Sequence, residues 1–415
     1  MANSKNGFFR GVAAGIAFSV AGILATGAFL HFYDGETSLQ SAVMASSNTS
    51  EETIIDAELI GKLQALQELV DEDFLMEAED AQAFKDGIYR GFMSALGDPY
   101  SCYYNEEELA QLQESTSGVY SGIGVIVSQD IQTGQIRITK VFEGCPGAEA
   151  GLLPEDILVE ADGMDVTAMD LSTAVTYIKG EEGTFVTIKV YRSTINDYVE
   201  LKVERRSIEV PTVEAEMLED SLGYIVVSEF DSVTADQFVE AIEELKAQGM
   251  EGLIVDVRDN PGGLLDVVVE MLDYMLPEGK IVYTEDKYGK GETFTSDAEH
   301  VFDLPLVVLT NENSASASEI FAGAIKDYGT GTIVGTTTFG KGIVQRIYSL
   351  GDGTAVKLTV SRYFTPNGVC IHELGIEPDV EIELNEELRT AVTISHEEDN
   401  QLQKAIEVLN SKIEE

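Results

Sequence analysis

Asn311-Glu312-Asn313-Ser314-Ala315-Ser316-Ala317-Ser318-Glu319 carries three hydroxyls at alternate positions, directly after the apolar run LVVLT at 306–310. A serine at such a strand-to-helix junction sits where helix N–H groups and the helix dipole favour developing negative charge, which suits a nucleophile and its oxyanion. The spacing has a plainer use as well: Ser316 and Glu319 form S-x-x-E, a capping box that merely starts a helix. A nucleophilic serine needs a base. Only four histidines exist (His31, His300, His372, His396), and neither His300 nor His372 lies in a motif suggesting the Ser/His/Asp arrangement. Downstream of Ser316 stands Lys341, within Phe339-Gly340-Lys341-Gly342-Ile343-Val344-Gln345. An unperturbed lysine, pKa about 10.4, is only ~0.1% neutral near pH 7.4. To act as a base it needs a depression of about three units, about 4 kcal/mol, which burial beside apolar groups supplies. A third stretch, Arg258-Asp259-Asn260-Pro261-Gly262-Gly263-Leu264, follows GLIVDV. It is either a turn before a helix or a Gly-Gly backbone donating N–H to an oxyanion.

Lys341 has a competing reading. Residues 335–341 match GxxxxGK, the phosphate-binding loop, but Gly342 stands where Ser or Thr should hold magnesium, and a β-like IVQRIYSL follows in place of a helix. No nucleotide is expected. A different recognition element is Gly122-Ile123-Gly124-Val125, where two glycines let successive N–H groups converge into an anion nest beside apolar residues. A peptide adding itself as an extra strand would leave its terminal carboxylate there; a glycine-rich hairpin is the structural alternative.

These residues need elements to position them. At 415 residues and 45.0 kDa the chain is long enough for two or three domains. With 44% hydrophobic and 24% charged residues it is neither disordered nor fibrous. The 26 basic against 74 acidic residues give a net charge of −48, which repels phosphate backbones and excludes nucleic acid as a partner. Cys102, Cys145 and Cys370 have no zinc-ligand spacing and read as small buried hydrophobes; no metal and no cofactor are expected.

From 11 to 30 runs an uncharged apolar stretch, long enough for a helix of roughly 30 Å. Lys5 and Arg10 precede it, while Asp34 and Glu36 follow. The expectation is a cytoplasmic N-terminus at 1–10 and a single-pass transmembrane signal anchor over 11–33 in the cell membrane, with the remainder extracytoplasmic. A polar tether fills 34–52, and helical spacing of Leu59, Leu63, Leu66, Val70 and then Phe84, Ile88, Phe92, Leu96 marks a helical region at 53–115. β-like runs around one helix make a module at 116–205. Over 206–385 apolar strands alternate with helices, at 223–228, 234–247, 252–257, 264–275, 306–310, 317–328 and 332–335, which predicts an α/β layer with a buried sheet. An acidic tail at 386–415 ends in a helical stretch able to pack on another element or subunit.

GIGV, then GCPGAEAGLLPEDILVEADG at 144–163 and LSTAVTYIKGEEGTFVTIKV at 171–190, resemble a PDZ domain. Together with GDPYSCYY at 97–104, VRDNPGG, NSASASEIFAGAIKDYG, TTFGKGIVQ and YFTPNGVCIHELGIEPD, the stretch from Asp98 to Asp379 resembles the carboxy-terminal processing proteases, also called tail-specific proteases. The resemblance implies a PDZ domain embedded beside an α/β cap-and-core serine protease and a serine–lysine dyad. Carried over by position, Ser316 is the nucleophile, Lys341 its general base and Gln345 the residue orienting the lysine. The N–H groups of Ala317 and of Gly262 or Gly263 make the oxyanion hole. Where many relatives have Arg before the glycine of IxG, this chain has Lys179. The expected partners are proteins and peptides with free C-termini, with room for a homo-oligomer or a regulatory protein. The alternative from another class is a catalytically inactive extracellular PDZ-type receptor.

Overall fold

The computed structural model describes residues 30–32, 53–76, 81–297, 299–389, 391 and 394–414. The chain divides into two compact units, one holding residues 112–343 and 362–415, the other 30–111 and 344–361.

In the second unit, helix α1 (Ala57–Asp73) starts at Asp56, whose carboxylate accepts the Leu59 N–H, and none of its residues is buried. Helix α2 (Ala81–Ser94) buries Met93 and Asp86, and the Asp86 carboxylate accepts from the Tyr103 hydroxyl at 3.1 Å. The strand Cys102–Tyr104 pairs antiparallel with Ala355–Lys357.

The membrane helix expected over 11–33 is corrected by this unit. Among the described residues no helix is long and apolar enough to cross a membrane. At Leu30–Phe32, inside that span, the chain is a strand paired in parallel with Gln345–Ile347; residues 11–29 and 33 lie outside the described residues. Apolar length is necessary for a span but not sufficient, and here its end finds backbone partners in a neighbouring strand. The fold class therefore stands without its transmembrane element.

The first unit contains the β-rich module and the α/β core. Strand β1 (Val119–Gly122) leads into the module and pairs antiparallel with its exit, Arg206–Glu209. Tied ends of this kind are what an inserted domain requires. Between them lies a sheet in the order Val125–Gln129 (β2), Ile136–Val141, Ile157–Ala161, Phe185–Arg192, Asp197–Glu204. Helix α3 (Leu171–Ile178), capped by Asp170, closes it over a core of Ile138, Leu158, Ala174, Val186 and Ile188.

The core sheet begins with β3 (Val213–Met217), antiparallel to β4 (Leu222–Val227). It continues in parallel through β5 (Gly252–Asp256), β6 (Leu306–Thr310), β7 (Thr332–Gly335) and β8 (Val380–Glu381). The strand order always advances in one direction, so right-handed crossovers put α4 (Thr234–Ala247), α5 (Leu265–Met275) and α6 (Ala317–Tyr328) on one face. The acidic tail supplies the other layer. Helix α7 (Asn400–Ile413) buries Leu402, Ala405 and Leu409 against Ile254, Val307, Leu309 and Val334. Every residue of β5 and β6 is buried, as a sheet covered on both faces demands. The three cysteines are unpaired and half-buried, not fully buried as expected.

Candidate active site

Three loops leave the C-terminal ends of the adjacent parallel strands β5, β6 and β7, the end at which open α/β sheets carry their ligands. They hold residues 257–264, 311–316 and 336–341, so topology brings together stretches widely separated in sequence.

The three serines of the middle loop have different fates. Ser314 Oγ donates to the Val257 carbonyl at 2.7 Å and accepts from the Asn311 N–H at 3.0 Å. Ser318 Oγ donates to the Asn260 carbonyl at 2.9 Å. Both tie the loop to its neighbour. Ser316 is also fully buried, yet among the described residues its Oγ makes no hydrogen bond within ordinary geometry. Its φ of +59° with ψ of −112° is a conformation that side-chain-bearing residues adopt only under constraint. The capping reading is thus half right. The Glu319 carboxylate accepts the Ser316 N–H at 2.9 Å, while the Glu319 N–H goes to the Ser316 carbonyl.

Asn260 shapes the loop that faces Ser316. Its Nδ2 donates to the Val227 carbonyl at 2.8 Å and its Oδ1 accepts the Gly262 N–H at 2.8 Å. That bond uses the Gly262 amide. The Gly263 and Ala317 N–H groups make no hydrogen bond among the described residues. Gly262 has φ +105°, and a Cβ there would stand 2.7 Å from Ser316 Cβ and 2.9 Å from Ala317 N. Only glycine lets this backbone lie against the serine.

Lys341 is 4% exposed. Two buried groups fasten its backbone to that of Ser316. The Glu319 carboxylate accepts the Lys341 N–H (2.8 Å) and Ser316 N–H on one oxygen, and the Gly340 N–H (2.7 Å) and Thr338 hydroxyl (2.6 Å) on the other. Burial pushes this carboxyl above the usual range, and the four donors pull it part of the way back. From below, the Tyr363 hydroxyl reaches the carbonyls of both Ser316 (3.1 Å) and Lys341 (2.5 Å). Its complete burial drives the phenol pKa well up, so it remains a donor. After Lys341 the chain becomes the strand Ile343–Ser349, not the helix a phosphate loop requires. Gln345 belongs to the second unit, where Nε2 donates to Thr359 Oγ1 at 3.3 Å and the buried Oε1 makes no hydrogen bond among the described residues. His300 stacks on Tyr274, and His396 meets Tyr224 edge-on.

Phe230 holds the Gly-Gly loop from behind: its N–H donates to the Gly262 carbonyl and its carbonyl accepts the Leu264 N–H. Next to it, burial, and less strongly the Glu229 carboxyl, push Asp231 up to about 8. The unfolded chain releases that proton near 3.9. Stability from this group is therefore full below about pH 4 and is lost as pH rises through 8. Asp231→Asn is expected to remove the dependence, so that the variant gains on the wild type from pH 5 to 8 by at most about 1.4 kcal/mol per pH unit. Thermal unfolding of both proteins across that range checks this; parallel profiles would mean the carboxyl ionises normally.

Comparison with known proteins extends these observations. The family model "Peptidase family S41" matches residues 221–382, and that of the PDZ domain matches 137–192. The chain is 34% identical over 354 residues to carboxy-terminal processing protease CtpA of Bacillus subtilis, covering 85% of this chain and 73% of the relative. It belongs to the carboxy-terminal processing proteases. To the carboxyl-terminal-processing protease of Synechocystis it is 35% identical, covering 77% and 76% of the two chains. A solved Bacteroides fragilis structure assigned to the S41 proteases shares the fold at TM-score 0.52 and 16% identity, over 88% of this chain and all of the other. As a member of this family the chain is a serine-type peptidase, a hydrolase, with a PDZ domain.

In this processing protease the glycine loop at 122–125 is arranged as an interrupted strand. β1 ends at Gly122, β2 starts at Val125, and between them the Ile123 carbonyl accepts the Gly147 N–H at 2.7 Å while Gly124 has φ +74°. Lys179 follows α3 as its C-cap and pairs with Glu114 at 2.6 Å. Asn260, Glu319 and Tyr363 shape the candidate site, and the sequence did not announce their roles; the S-x-x-E spacing was the one signal for Glu319.

Proposed function

We propose that the protein is an endopeptidase that cleaves protein substrates near their C-termini or in unfolded segments, using Ser316 as nucleophile and Lys341 as general base. Ser316 Oγ attacks the scissile carbonyl and passes its proton to the Lys341 amine; the ammonium then protonates the leaving nitrogen. The carbonyl oxygen, now an anion, is received by the Ala317 and Gly263 amides, since the Gly262 N–H is held by Asn260. Gln345 has the orienting role that the family resemblance gives it. The PDZ domain reads the substrate's free carboxylate in the nest at Gly122, Ile123, Gly124 and Val125.

One observation carries this reading: of the three serines in the motif, Ser316 alone has a hydroxyl that makes no hydrogen bond among the described residues, and its backbone is fastened to that of Lys341 by Glu319 and Tyr363. A fluorophosphonate probe is expected to label the chain at one residue, mapped by peptide mass spectrometry to Ser316. Labelling at Ser314 or Ser318, or none at all in a folded protein, would remove the assignment.

A further inference from the structure

The groove of the PDZ domain, between β2 and α3, contains a cavity of about 290 Å³ lined by Ile123, Val125, Val127, Val175 and Ile178, together with Tyr120 and Lys179. Tyr120 lies on β1, two residues before the glycine loop, opposite Ile208. Its ring runs forward over Gly122: ring carbons Cε2 and Cδ2 are 2.6 and 2.9 Å from where a Cβ on Gly122 would stand. Any other residue at 122 would push the ring out. At the end of this path the phenol oxygen faces the Val125 N–H, the first amide of β2 after the glycine turn, and both residues line the cavity. Burial pushes the phenol up to about 12, so it is neutral in the working range.

The cationic group beside the nest is engaged in the same way. Lys179 Nζ lies 5.2 Å from the Tyr120 ring centre, and Glu114 supplies it with a carboxylate. Of the two kinds of donor that a peptide carboxylate seeks, the ammonium already holds an oxygen of this chain and the amide faces one. One amide proton does not serve two acceptors well, so the phenol and an arriving carboxylate compete for Val125.

We propose that Tyr120 is an internal stand-in for the substrate's C-terminal carboxylate: its phenol plugs the nest, and a free C-terminus must displace it to bind. This rests on the reading that the PDZ domain takes free C-termini. It adds a residue that sets the threshold for recognition, making weak or internal segments poor competitors.

The test is calorimetric titration of the full chain, carrying Ser316→Ala to prevent cleavage, with a short peptide ending in valine and with its C-terminally amidated twin. Tyr120→Phe leaves the ring and deletes the competing oxygen. It is expected to bind the free-carboxylate peptide about three- to tenfold more tightly, the scale of one hydrogen bond released from competition, with no change for the amidated twin. Tyr120→Ala, which also opens the apolar cavity, is expected to bind the free peptide at least as tightly as the Phe variant. Thermal unfolding beside the parent reports whether each variant is folded. If Tyr120→Phe binds the free peptide equally or more weakly while the parent still prefers it to the amide, the plug is overturned and carboxylate recognition survives. If neither protein prefers the free carboxylate, recognition of C-termini fails, and the plug with it.

Discussion

Ser316→Ala is expected to abolish peptide hydrolysis, a loss in kcat on the order of 10⁶-fold, while the protein stays at least as stable as the wild type. The first half follows from the proposed chemistry, because no other hydroxyl of the loop is available. Ser314 and Ser318 are committed to the carbonyls of Val257 and Asn260. The second half follows from burial. A serine acting as helix cap would cost about 0.5–2 kcal/mol on truncation, but Ser316 Oγ caps nothing and is buried without a partner. Deleting such a hydroxyl removes a desolvation cost, not a bond. The Glu319 and Tyr363 contacts are made to the Ser316 backbone and survive the change. Turnover of a quenched peptide and thermal unfolding, measured on the same preparation, check both halves. Substantial residual turnover would sink the nucleophile assignment; a clear drop in melting temperature would show that the hydroxyl is a cap.

Lys341→Arg and Lys341→Ala are expected to be equally inactive, each losing at least the ~10²–10⁴-fold that a positioned base contributes. Arginine keeps a positive charge but does not deprotonate in proteins, so it cannot take the serine's proton. Alanine keeps neither property. Both leave intact the backbone N–H and carbonyl by which residue 341 is attached to Glu319 and Tyr363. The position is 4% exposed, so a guanidinium is a tight fit there, and melting curves must accompany the kinetics. The Ala variant is free of that strain. An Arg variant with near-native turnover would show that the site requires charge and not proton transfer.

The order of elements in the α/β core was legible because each strand and helix has a clean period. Helix α4 at 234–247, strand β6 at 306–310, helix α6 at 317–328 and strand β7 at 332–335 coincide with their patterns. Strand β3 was missed because VEAEM has only alternate weak apolar residues, as befits a half-exposed edge. The apolar spacing of α1 marked a helix, which the structure has, and says nothing of burial, which the structure does not give it. The run at 11–33 satisfied a length criterion that says nothing of pairing. In the site, Ser316 and Lys341 were findable by motif. What the hydroxyls of Ser314 and Ser318 are bonded to, and why the Gly262 amide is unavailable, depends on Asn260 and on carbonyls of neighbouring strands. Those are contacts between loops, and no local pattern encodes them.

The buried carboxylate of Glu319 has a consequence for the newly made chain. Ser316 and Lys341 are held in place only when that side chain has collected its donors from 338–341 and when the Tyr363 hydroxyl, 47 residues beyond Ser316, has arrived. A ribosome-bound or partly unfolded polypeptide has the same residues but not this arrangement. On the proposed chemistry, hydrolytic power therefore depends on both contacts being made and is lost when they open. On that same reading, copies that have not yet folded cannot attack one another.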